Sequence, residues 1–278
     1  MRKNKLFIIT VIAAMSVSGI ALAKPKVKGD VAVGKNVVVG DASPVTGEEK
    51  NTSTVSVEGG IDVTNSTRSA LYNFNAKVRG DIGTNETQDG SGYDLKLGGF
   101  IGSPIQRRSS DCDFIYAGTA TGEVSQHKNT TQFDTIFATI GGTMGLLCGS
   151  KNYGLFVGPT ADYVLGDIGT GDFLSGPQAG FKFELDSKYF NLNADADYMA
   201  IFGTENQGSK FRLQADASGK IPLGKTMNLS FGPYVSYDRI ENKHISQGFN
   251  DDGVYEVTTT DDPAKGVLQA GGQIKVSF

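Results

Sequence analysis

The chain has 278 residues, 38% of them hydrophobic, with 37 glycines, 16 phenylalanines, 10 tyrosines, two cysteines and no tryptophan. That is room for one β domain of ~250 residues or two small ones, and 20% charged residues with a net charge of -4 argue against a disordered chain. A pI near 5.3 offers no basic footprint for phosphates, which removes nucleic acid as a partner.

The first residues read as a secretory signal. Arg2, Lys3 and Lys5 form a positive start, Leu6 to Ile20 is apolar with small interruptions, and Ala21-Leu22-Ala23 is an A-x-A cleavage site. Ser16, Ser18 and Gly19 break the run where a membrane anchor stays apolar, and position 24 is lysine rather than a lipoprotein cysteine. Residues 1–23 are therefore expected to be cleaved after Sec-type export. No later segment offers the ~18 apolar residues of a membrane helix.

Residues 24–53 form an N-terminal segment, in which Val31, Val33, Val37 and Val39 mark 27–40 as a possible first strand followed by a loop. From about 54 the chain reads in twos. Ala70, Tyr72, Phe74, Ala76, Val78 and Ile82 alternate with Asn73, Asn75, Lys77, Arg79 and Asp81. The same period runs through Tyr93 to Ile101, Tyr153 to Leu165, Phe190 to Phe202, Phe211 to Ala217 and Met227 to Tyr237. Strands are expected near 54–65, 70–83, 92–103, 111–126, 132–148, 152–166, 173–186, 188–202, 209–221, 225–241 and 265–278. Pro159 and Pro233 fall within two of them. Each removes a ladder hydrogen bond and is expected at a bulge or a strand end.

The pairing of 111–126 with 132–148 has a register that matches their apolar faces, with Phe114 against Leu146, Tyr116 against Met144, Ala120 against Ile140 and Val124 against Ile136. It sets Cys112 opposite Cys148. Directly opposed residues lie ~4.5–5.5 Å apart, within disulfide reach, and secreted compartments oxidise thiols, so a Cys112–Cys148 bridge is expected.

Strand length separates two architectures. A soluble sandwich uses strands of ~5–6 residues, a transmembrane barrel ~9–11 tilted residues, and here the alternation often persists for a dozen or more. At the C-terminus, Leu268, Ala270, Gly272, Ile274, Val276 and Phe278 share one face, and the chain ends on the aromatic. Ile274, Val276 and Phe278 resemble the C-terminal assembly signal of Gram-negative outer-membrane β-barrels. The resemblance covers the pattern of the mature chain and no particular family within that class. It implies an all-β, antiparallel, up-and-down transmembrane barrel over 54–278, an outer-membrane location, contact with outer-membrane lipid and lipopolysaccharide, and handling by the barrel-assembly machinery. Eleven strands are read, and such barrels take an even number. The segment 27–40 supplies the twelfth, and ten remain if the N-terminal segment is a plug or tail.

With Phe278 on the periplasmic side, short turns fall inside, at 149–151 and 186–188, and long polar loops outside, at 84–91 and 242–264. Asp252-Gly253 reads as a type I′ turn of a two-stranded flap. Aromatic girdles are expected from Tyr93, Phe202, Phe211 and Tyr237 at outer ends and from Tyr72, Phe114, Tyr153, Phe190 and Phe278 at inner ends.

Chemistry is sparse. His244 and Ser246 share a strand face and Glu256 lies across the flap, an arrangement similar to the His-Ser-Glu set of outer-membrane lipid A deacylases, although parity turns His244 and Ser246 inward, away from lipid. His127, between Gln126 and Lys128, shows no neighbour in sequence that would make it catalytic. Asp251-Asp252 and Asp261-Asp262 read as turn formers. No nucleotide, zinc or haem motif appears, so no cofactor and no metal site is assigned.

Parity sends Asp94, Asp162, Asp195, Asp197, Asp216, Lys77, Arg79 and Arg212 into the lumen, together with Glu58, Asp62, Asp113, Glu184, Asp238, Lys96, Lys182 and Lys275. Acids predominate, so a small diffusion channel for ions or small solutes, weakly cation-selective, is the leading expectation. The alternative is a lumen closed by salt bridges in a structural or surface-interaction barrel.

Overall fold

The computed structural model describes residues 26–40, 52–66, 71–84, 91–103, 112–127, 134–149, 153–167, 174–201, 206–224, 226–249, 255–261 and 264–278. The signal segment lies outside them. The strands are β1 (Lys26–Gly40), β2 (Thr52–Ser66), β3 (Leu71–Gly83), β4 (Gly92–Gly102), β5 (Cys112–His127), β6 (Thr135–Gly149), β7 (Tyr153–Asp167), β8 (Leu174–Ser187), β9 (Phe190–Ile201), β10 (Asn206–Pro222), β11 (Asn228–Phe249), β12 (Tyr255–Asp261) and β13 (Lys265–Ser277).

From β1 to β11 each strand pairs antiparallel with its sequence neighbours, β11 pairs with β13, and β13 pairs with β1. The ring is a closed twelve-stranded up-and-down barrel with no free edge. The segment Lys26–Gly40 is one of the twelve, held between β2 and β13, so the barrel begins well before residue 54. The extra strand, β12, pairs only with the distal part of β11 and forms a flap beyond one rim. We call that rim the flap end and the opposite rim, where β1 starts and β13 stops, the terminus end.

The period of two becomes two surfaces. Val31, Ile61, Ile101, Phe114, Ile140, Phe181, Tyr198 and Ile274 are exposed on the outside. Their neighbours on alternate positions, such as Ala32, Asn36, Ser56, Asp81 and Ser230, are buried within. On β11 the outward series runs Leu229, Phe231, Pro233, Val235 and Tyr237, then changes to Arg239 and Glu241, ion-paired at 2.7 Å. The apolar belt stops there. Tyr93 and Phe211 near the flap end, and Phe114, Phe190 and Phe278 near the terminus end, are exposed, and Phe211 lies 6.5 Å from Tyr237 between ring centroids. Phe202 and the side chain of Tyr153 fall outside the described residues.

Cys112 and Cys148 are paired in register and joined as a disulfide at the terminus end of β5–β6. Phe278 exchanges two backbone hydrogen bonds of 2.9 Å with Gly29. Its ring covers that glycine so closely that a Cβ at position 29 would lie 2.6 Å from it.

Three expectations need correction. Pro159 and Pro233 are at neither bulges nor strand ends. The β6–β7 ladder lapses between the pairs Thr143↔Thr160 and Leu146↔Val157, and the β10–β11 ladder between Asp216↔Tyr234 and Gly219↔Phe231, and both resume in the same register. The missing N–H costs local rungs without displacing the strand, because a glycine precedes each proline and lets the neighbouring backbone close in: a Cβ on Gly158 or Gly232 would fall about 2 Å from a carbonyl oxygen across the gap. In the flap, a two-residue turn at 252–253 would set Phe249 against Glu256, but Phe249 faces Tyr255, so the connection is longer by register. The turn itself lies outside the described residues. Finally, the strand ending at 126 extends to His127, which turns that histidine into the barrel.

Candidate functional site: the lumen

Of the charged residues that parity sent inward, Glu58, Lys77, Arg79, Asp94, Lys96, Asp162, Lys182, Glu184, Asp195, Asp197, Arg212, Asp216, Asp238 and Lys275 line the lumen. Side chains from facing walls then meet across the barrel. Glu123 on β5 accepts an ion pair from Lys96 on the adjacent β4 at 3.0 Å and from Arg212 on β10 at 3.6 Å, with four strands between β5 and β10 on the shorter way round. Arg212 donates through Nε to Asp238 Oδ1 at 2.8 Å. The Arg212 and Glu123 side chains are only 17% and 13% exposed.

A second chord runs from β3 to β11. Arg79 donates to Asp81 at 2.9 Å and to the Tyr234 hydroxyl at 3.4 Å, with its guanidinium 5.8 Å from the Tyr234 ring centre. Tyr234 also accepts from Gln269 at 3.4 Å, and the fully buried Asn36 of β1 packs against Tyr234 and Arg79. A third chord sets the Lys210 ammonium 5.7 Å from the Phe137 ring centre, β10 to β6.

These chords divide the lumen. One chamber, of about 540 Å³, is lined by Lys28, Glu58, Lys77, Arg79, Asp216, Tyr234 and Lys275. The other, of about 440 Å³, is lined by Asp162, Asp195, Asp197, Gln178 and Lys182, with Ile115, Phe137, Phe156, Val164 and Met199. Lys96, Glu123, Lys210 and Arg212 border both. Phe137, Val164, Leu174 and Met199 pack into a buried apolar cluster toward the flap end of the second chamber.

In the first chamber charges occur in pairs: Lys77 with Glu58 at 3.5 Å, Lys275 with Asp30 at 2.9 Å, and Asp216 with the Asn193 amide at 3.0 Å. In the second, Asp162 accepts from Thr119 at 2.9 Å, while Asp195 Oδ1 is buried with no hydrogen bond among the described residues. Lys182, set opposite Asp195 in register, pairs instead with Glu184 at 2.7 Å.

Sequence reasoning passed over Glu123, Asp81, Asp30 and Lys210. They share the parity of the inward residues on their strands; what the sequence lacked was the sight of the opposite wall. The pair His244 and Ser246 lies on the flap part of β11, where His244 pairs with both Asn206 and Thr260, Ser246 with Thr258, and Glu256 with Gly248. The side chains of His244, Ser246 and Glu256 lie outside the described residues, as do Asp251, Asp252 and Asp262.

A closed twelve-stranded antiparallel barrel with an apolar belt outside and charged chords inside defines a transmembrane β-barrel of the outer-membrane type. No family model matches the chain, and no curated protein matches it in sequence. Among solved structures it is similar to a deltaS2 mutant of the monoaromatic hydrocarbon channel TodX, with 11% identity over 92% of this chain and 90% of that one at a TM-score of 0.41. It is also similar to an outer membrane channel from Pseudomonas putida F1, with 10% identity over 93% and 98% at 0.39. A third is the translocator domain of the autotransporter NalP from Neisseria meningitidis, with 10% identity over 100% and 95% at 0.33.

Proposed function

We propose that this protein is a non-enzymatic outer-membrane conduit for small polar solutes, cations above anions, whose aperture is set by the chord of Lys96, Glu123, Arg212 and Asp238. The supporting observation is the pairing of Glu123 with Arg212 at 3.6 Å between two water-accessible chambers. An ion pair that crosses a lumen subdivides it, and a solute larger than a hydrated ion has to displace it. The cation preference draws on Asp162, Asp195 and Asp197, which with Glu123 and Glu184 outnumber the chamber's cations Lys96, Lys182, Lys210 and Arg212. The outer-membrane location draws on the apolar belt and the A-x-A signal.

A second reading has the same chords in its favour: a barrel closed for transport that serves as a scaffold for its outer loops. Conductance separates the two. The mature chain in planar bilayers is expected to pass a small current, and Arg212→Ala a larger one. No current from either protein would overturn the conduit and leave the scaffold.

A further inference from the structure

We propose that Asp81, Asp94 and His127 form a binding site for a single first-row transition-metal dication of the Zn²⁺ kind, at the flap-end mouth of the lumen. The three come from three consecutive strands. Asp81 on β3 pairs in register with Gly92 on β4, and Gly92 pairs with His127 on β5, so the aspartate and the histidine flank a residue without a side chain. That glycine is what lets them meet: a Cβ at position 92 would lie 2.5 Å from His127 Cδ2 and 2.3 Å from the Gln126 carbonyl oxygen. Asp94, two residues on from Gly92, reaches the same point from below.

The donor atoms converge. His127 Nε2 is 3.5 Å from Asp81 Oδ2 and 3.7 Å from Asp94 Oδ1, and one atom from each residue lies within 4.8 Å of the others. Ligands held ~2.0–2.2 Å from one ion stand ~3.0–3.5 Å from each other, so the two histidine–carboxylate spacings are within a few tenths of an ångström of a coordinated set. It does not suit a direct hydrogen bond, since a charged imidazole N–H would close on a carboxylate to ~2.8 Å.

A second observation is independent of the spacing. The His127 and Asp81 side chains are 3% and 1% exposed, and His127 Nδ1, His127 Nε2 and Asp81 Oδ2 are all buried with no hydrogen bond among the described residues. Buried polar atoms are nearly always satisfied. Of these, His127 Nε2 and Asp81 Oδ2 face each other at 3.5 Å with Asp94 Oδ1 beside them, and two such orphans at one point mark a missing partner, which has to be a cation because two carboxylates face it.

The surrounding groups fit that role. Arg79 holds Asp81 Oδ1 through Nε at 3.1 Å and Nη2 at 2.9 Å, which orients the carboxylate and leaves Oδ2 for the ion. Entry is from the larger chamber, which Arg79, Asp94 and His127 line, and water from that side completes the coordination. One imidazole nitrogen and two carboxylate oxygens select Zn²⁺, or its neighbours in the first transition row, over Ca²⁺ and Mg²⁺, which take oxygen ligands. The site stands whether or not the barrel conducts.

The test uses the mature chain refolded in detergent micelles and titrated with Zn²⁺ by calorimetry, with Co²⁺ as an optical probe. One Zn²⁺ per barrel is expected. His127→Gln and Asp94→Asn should each weaken it by about 10–100-fold, and Asp62→Asn, a lumen carboxylate toward the terminus end, should leave it unchanged. Sheet circular dichroism and heat-modifiable gel mobility establish that each variant is folded; if His127→Gln fails that check, Asp94→Asn carries the test. No Zn²⁺ binding below about 1 mM, or equal affinity in the folded ligand variants, would overturn the site.

Discussion

The two chambers of the lumen are built from the same alternation and differ in how their charges are paired. Around the first, Glu58 meets Lys77, Asp30 meets Lys275 and Asp81 meets Arg79. Around the second, Asp162, Asp195 and Asp197 share the lining with the apolar Ile115, Phe137, Phe156 and Val164, and Lys182 turns to Glu184 rather than to them. The difference lies in which side chains pair: Lys182 is set opposite Asp195 in register but bonds to Glu184. On β2–β3 the register sets Arg79 opposite Glu58 and leaves Lys77 to reach Glu58 diagonally, whereas on β8–β9 the partner of Asp197 is Gly180, whose absent side chain makes room for it: a Cβ there would nearly overlap Asp197 Oδ1. A barrel wall can thus be neutralised or left acidic by the choice of one cross-strand neighbour.

The largest test of that contrast is Arg212, which borders both chambers. Its loss leaves Glu123 and Asp238 without the guanidinium that they share. Breaking a buried pair by deleting one partner costs about 3–5 kcal/mol, so Arg212→Ala should lower the unfolding free energy in urea by an amount of that order. Asp195→Asn with Asp197→Asn, which removes like charges from the acidic wall, should leave stability equal or raise it. A loss under about 1 kcal/mol in Arg212→Ala would show that water in the lumen already solvates the chord.

The seam between β5 and β6 offers the next test, because its Ile115 and Phe137 line the second chamber. The disulfide closes a loop with a sequence separation of 36, and the chain-entropy model gives roughly 3–4 kcal/mol for such a loop. Cys112→Ser with Cys148→Ser should therefore cost up to that much in unfolding free energy, read from the same urea curves under oxidising conditions. Added to Arg212→Ala, the effects should sum, since the disulfide lies at the terminus end of the seam, many residues along β5 from the Glu123 that pairs with Arg212. A wild-type midpoint unmoved by reductant would mean that the paired strands already restrain the unfolded chain.

Much of this fold was legible because alternation has a fixed period and each strand reports its own two faces. The β5–β6 register followed from matching Phe114 with Leu146 and Tyr116 with Met144, and the cysteines came with it. What parity could not supply was distance across the barrel. Glu123 and Arg212 are far apart in sequence, and nothing local to either signals the other. His127 looked isolated because its sequence neighbours are Gln126 and Lys128, while Asp81 and Asp94 reach it only through β4. The prolines misled for a related reason. Proline reports a lost N–H, but the tolerance for that loss came from Gly158 and Gly232 beside them and from the backbone across the gap.

The smallest expected effect bears on the acidic wall alone. Reversal potentials in a salt gradient should show a modest cation preference for the native barrel, and Asp195→Asn with Asp197→Asn should reduce it while current persists. The reasoning is Coulombic: the two carboxylates sit two residues apart on one strand, inside a narrow wall where the field is less screened than in bulk water. Glu58→Gln in the first chamber removes a charge that Lys77 already offsets, and its effect on selectivity should be smaller. An equal shift from Glu58→Gln would show that the chambers conduct as one averaged pore, and an anion preference in the native barrel would show that the paired cations, not the acidic wall, govern the passage.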